Sequence, residues 1–161
     1  MSEVVWLDSD QIGLALEATF NRIQHTRMQD MPVLNPALSV QALAFKRYQQ
    51  DWLGVLITPW FMNLVLLPNL PSTWHQQAPG NKFSAAFPYG VFEFTVAHDA
   101  QLGVYALCSL FSPMFEFAGQ AEAVSAAQAA IQGLLTPPEA PKAQAISRRD
   151  LLRGKLSSGR T

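Results

Sequence analysis

Ile57-Thr58-Pro59-Trp60-Phe61-Met62-Asn63-Leu64-Val65-Leu66-Leu67-Pro68 is the stretch on which the fold turns. It is almost wholly apolar, yet it falls well short of the about 20 residues that cross a bilayer. It lacks the strict alternation of a strand with one wet face, and it carries prolines at or near both ends. Pro59 breaks it in two. Residues 62–67 read as a core strand, and Trp52 to Thr58 read as the strand before it. Trp60, Phe61 and Met62 fall at the break. Base rates assign such side chains to the core. Loops between strands, however, are where binding residues gather, and large apolar side chains build docking surfaces as well as interiors.

Outward from this stretch the pattern is helix, strands, helix. Residues 9–28 repeat Ile12, Leu16, Phe20 and Ile23 at helical spacing, with Asp8 or Ser9 able to cap the start. Residues 39–48 are strand-like, with Gln49-Gln50 as a turn. Val91 to Val96 alternates, placing Phe92 and Phe94 on one face, and 102–110 returns as its hairpin partner through His98-Asp99-Ala100-Gln101. The stretch 68–90 holds four prolines and reads as irregular, and a long irregular segment in a compact domain is commonly functional. Residues 118–134 are alanine-rich and predict a second helix, with Val124, Ile131, Leu134 and Leu135 as its apolar face. This order predicts an α+β fold: an antiparallel sheet of about five strands flanked by an N-terminal and a C-terminal helix. Residues 1–136 form one domain in this reading, and 137–161 form a Pro-rich, then basic, flexible tail.

Composition narrows the function classes. At 49% hydrophobic the chain can bury a real core, and at 14% charged it lies well below the roughly 25% of an average domain. A net charge of −1 gives no global field for nucleic acid. The charge is split, however. Residues 1–135 carry −5 and residues 136–161 carry +4, an acidic body with a basic tail. One cysteine, Cys108, excludes an internal disulfide framework, and no signal peptide or membrane-spanning run is evident, so the expected location is cytoplasmic, without stable membrane insertion.

Chemistry-bearing motifs are scarce. His25, His75 and His98 sit in no metal-ligand spacing, and no Gly-rich phosphate loop is present. Cys108 lies inside an apolar strand, where a thiol is usually inert core. A small redox-linked enzyme or ligand-binding protein using it is the alternative to a binding protein. No cofactor and no catalytic residue is expected. The candidate partner-binding residues are Pro59, Trp60, Phe61, Met62, Trp74 and Tyr89. In the tail, Arg148, Arg149, Leu151 and Leu152 read as a short motif that orders on a partner.

Ile57-Thr58-Pro59-Trp60-Phe61-Met62, Leu67-Pro68, Phe87-Pro88-Tyr89-Gly90, Phe92-x-Phe94-Thr95-Val96, Cys108-Ser109-Leu110-Phe111-Ser112-Pro113 and Arg148-Arg149-x-Leu151-Leu152-x-Gly154 occur in this order. Together they resemble the HybE family of NiFe-hydrogenase assembly chaperones, which takes in HupJ- and HoxT-type accessory proteins. The resemblance spans most of the chain and is weakest over 118–134. It implies a non-enzymatic cytoplasmic protein that binds a hydrogenase small or large subunit precursor bearing a twin-arginine signal. Such a protein holds the precursor until cofactor insertion and subunit assembly are complete.

Overall fold

A computed structural model describes residues 5–69, 74 and 76–138. Its elements are α1 (Ser9–Thr26), β1 (Gln41–Tyr48), β2 (Asp51–Ile57), β3 (Met62–Pro68), β4 (Lys82–Phe87), β5 (Gly90–Asp99), β6 (Gly103–Phe111) and α2 (Gln120–Leu134). The strands form one antiparallel sheet in the order β1-β2-β3-β6-β5-β4. The fold is α+β, with six strands where about five were expected. The extra one, β4, lies within the stretch read as irregular. Its prolines flank the strand rather than interrupt it. Its inward positions Phe83, Ala85 and Phe87 alternate with exposed Lys82, Ser84 and Ala86, an alternation muted by the alanines. The tail from residue 139 onward lies outside the described residues.

The missing alternation of 57–68 has a direct cause. The sheet is covered on both faces, so the central strands β2 and β3 are buried on both sides. On one face Leu53, Val55, Ile57, Met62, Leu64 and Leu66 join Ala123, Ala127, Ala130, Ile131 and Leu134 of α2. On the other, Trp52, Leu56, Val65 and Leu67 pack with Ile12, Leu16 and Phe20 of α1. In α1, Asp8 caps the start by accepting from the Gln11 N–H at 2.8 Å, while the Gln11 side chain accepts from the Leu7 N–H. The alanines of α2 do more than favour helix: three of them are its buried face, so its axis comes close to the sheet. Val124 and Leu135 are only partly covered.

The sheet is strongly curled. Five gaps of about 4.8 Å would hold the edge strands of a flat six-stranded sheet roughly 24 Å apart. Instead, Tyr48 on edge strand β1 stacks on Phe87 at the end of edge strand β4, ring centroids 5.0 Å apart, and its hydroxyl donates to the Ala86 carbonyl. Trp74 closes the same seam. It stacks on Phe83 at 5.0 Å and donates from Nε1 to Asp51 Oδ2. The molecule is thus a partly closed barrel whose concave side is filled by α2.

Candidate functional site

The site is built from two neighbouring connections. Thr58 shapes the β2–β3 turn: its N–H donates to the Phe61 carbonyl, and its hydroxyl oxygen accepts from the N–H groups of Trp60 and Phe61. This turn lays Trp60 edge-on against Phe61 and Phe61 edge-on against Phe20 of α1. Met62, the first residue of β3, pairs with Phe111 at the end of β6. The ladder therefore sets the turn beside the connection from β6 to α2.

That connection, residues 112–119, encloses a cleft of about 480 Å³ lined by Ser109, Leu110, Phe111, Ser112, Pro113, Phe115 and Glu116. The cleft lies where β6 runs on past its pairing with β5. Their pairing ends at Thr95–Leu107, although β5 begins at Gly90 and β6 runs on to Phe111. Along the loop, Met114 and Phe117 are buried and Phe111 packs edge-on against Phe117 at 4.9 Å. Phe115 between them is left 55% exposed. On β5, Val91 is also exposed.

Asn35 locks both connections together. Its side-chain amide donates to the carbonyls of Met114 and Phe117, each at 2.9 Å, and its backbone N–H donates to the Pro59 carbonyl. Buried Asn63, whose ladder partner is Ser109, leaves its Oδ1 without a hydrogen-bond partner among the described residues. Buried acceptors of this kind are rare.

The expected site residues divide. Trp60 and Phe61 are partly exposed and pack in the α1-side cluster, outside the lining of the cleft, and Pro59 is buried. Met62 is fully buried on the α2 side of β3 and offers no surface. Tyr89 is buried at the β4–β5 turn, its N–H donating to the Leu134 carbonyl. Trp74 lies in the barrel seam, held by Asp51 and Phe83. Arg148, Arg149, Leu151 and Leu152 fall outside the described residues. Cys108 is packed in the α2-side core at 2% exposure. Among the described residues no group of three or more His, Cys, Asp or Glu could hold a metal ion, and no helix is long and apolar enough to cross a membrane. The sequence did not single out Asn35 or Phe115, and Glu116 read only as a solvent-facing carboxylate. The available signal was Phe111-Ser112-Pro113-Met114-Phe115, a second aromatic-proline break between elements.

Comparison with known proteins then decides the family: the NiFe-hydrogenase assembly chaperone family HybE matches residues 11–154. The chain belongs to the HybE family. This HybE-family chain is 36% identical to the hydrogenase expression/formation protein HupJ of Bradyrhizobium diazoefficiens, the match covering 95% of each chain. It is 44% identical to protein HoxT of Cupriavidus necator over 78% of its own length and 76% of that protein's. Its fold is similar to the solution structure of HybE from Escherichia coli, with a TM-score of 0.65 and 27% identity over 91% of this chain and 93% of that one.

Proposed function

We propose that this chain is a cytoplasmic, non-enzymatic chaperone that binds the precursor of a hydrogenase small or large subunit, one bearing a twin-arginine signal, and holds it until cofactor insertion and subunit assembly are complete. Family membership supports the hydrogenase context. The observation that carries the binding surface is the cleft at the end of β6, lined by exposed Phe115 and acidic Glu116, with the Trp60–Phe61 turn brought near by the Met62–Phe111 ladder pair.

A twin-arginine signal combines adjacent cationic residues with an apolar run. Phe115, Phe111 and Trp60 offer apolar contact to that run, and Glu116 offers a counter-charge. Burying an aromatic side chain contributes roughly 1.5–3 kcal/mol, so three anchors supply roughly 4–9 kcal/mol against the costs of association, and charge contacts must add to them. Nothing in this mechanism requires a bond to form or break: the chaperone acts by occupying a segment that would otherwise be free. The test is retention of separately tagged small-subunit and large-subunit precursors, each with and without its signal, on the immobilised chain. Retention of a signal-bearing precursor supports the proposal; retention of neither subunit overturns it.

A further inference from the structure

We propose that Ser147-Arg148-Arg149-Asp150-Leu151-Leu152-Arg153 of this chain docks in its own cleft at the end of β6 and competes there with the precursor's signal. The inference rests on the reading that the cleft accepts a twin-arginine signal.

Four observations carry it. The segment has two adjacent arginines, one spacer and an apolar pair, the arrangement of cationic and apolar groups that the cleft is proposed to hold. Charges are complementary, since residues 136–161 carry +4 against −5 for the rest, and Glu116 lines the cleft. The apolar pair Leu151-Leu152 has a matching surface in exposed Phe115 and half-buried Phe111. The family match also runs past the last described residue, Pro138, and ends at Gly154, immediately after the segment.

The reach is sufficient. Helix α2 begins a few residues after Glu116 and its 15 residues span about 22 Å, which sets the scale of the distance from its far end back to the cleft. From Pro138 to Arg148 is about ten residues, able to reach roughly 33–36 Å. Tethering at that length gives an effective concentration of order 1 mM, so even a segment of about 100 μM intrinsic affinity would weaken an external peptide about tenfold. The consequence is a threshold. A weakly matching peptide is turned away, and a precursor signal with additional contacts displaces the tail.

Hydrogen exchange on the full chain tests this against two full-chain variants, Arg148→Glu/Arg149→Glu and Leu151→Ser/Leu152→Ser. Amides of residues 109–116 should exchange at least about fivefold more slowly in the wild type, equally so at low and high protein concentration. A synthetic signal peptide of a hydrogenase small subunit should bind both variants about tenfold more tightly than the wild type. Equal exchange in all three chains overturns the proposal, and so does protection that grows with concentration, which would mark a second copy's tail. Equal peptide affinity in all three overturns competition while leaving the precursor-binding reading intact. No peptide binding to any of them overturns both.

Discussion

Gly54 sits on β2 where a Cβ would overlap the Phe45 ring. Phe45 lies in the irregularity of β1 between Leu43 and Lys46, where Ala44 has φ 61, and this bulge aims the ring across the neighbouring strand. Gly54→Ala should cost about 1–3 kcal/mol in chemical denaturation. Adding Phe45→Ala should make the double variant less destabilised than the two singles combined, because the clash is shared. Asp99 makes a second residue-scale case. Burial alone would raise its carboxyl pKa, but the Gln101 N–H at 2.7 Å and the Arg22 guanidinium at 3.2 Å together hold it below its usual value. A depressed carboxylate stabilises above its unfolded pKa, and that stability is lost as pH falls through the folded one. Denaturation of wild type and Asp99→Asn should therefore differ by about 1 kcal/mol at neutral pH, the gap closing below about pH 4. Tyr105 runs the other way. Burial and the Asp99 charge push its pKa up to about 12, so its stabilising effect fades only as pH rises from about 10 toward that value, and its phenolate absorbance should appear late in an alkaline titration.

At the scale of elements, the connections matter more than the strands. Asn35 ties the Thr58–Phe61 turn to the 112–119 loop through two side-chain bonds and one backbone bond. Asn35→Ala would remove a donor from two carbonyls, leaving that of Met114 only the Phe117 N–H at 3.3 Å, and should cost about 1–3 kcal/mol, with faster hydrogen exchange concentrated in residues 112–118. In α2, Ala127 is fully buried against the concave sheet, so Ala127→Leu should destabilise by about 1–3 kcal/mol despite Leu being a good helix former. These elements also mark what sequence alone can reach. Both helices and the β5–β6 hairpin were legible because Ile12, Leu16 and Phe20, and then Phe92 and Phe94, repeat at the period of one buried face. The strand β4 was not, because alanines at 85 and 86 blur its two faces. The site was half legible: Pro59 announced the turn that carries Trp60 and Phe61. The cleft lies beyond the point where β6 loses its β5 partner, a register property that no local pattern encodes, and Asn35 acts across a sequence separation no motif spans. Trp74 and Met62 carried a docking signature but serve the seam and the core.

The whole molecule is a curled sheet with one helix inside, one outside, and an end where two strands separate. An acidic body and a partly apolar cleft with Glu116 in its lining suit a partner that is both cationic and greasy. Binding driven partly by charge should weaken as salt is raised from about 0.05 to 0.5 M, while the apolar contribution persists. The most direct test of the central claim is the affinity of a signal-bearing hydrogenase small-subunit precursor for the wild-type chain, Phe115→Asp and Trp60→Ala, each confirmed folded by its thermal melt. The account predicts at least about a tenfold loss in both variants. Wild-type affinity in both, with the precursor bound and the fold intact, would contradict it.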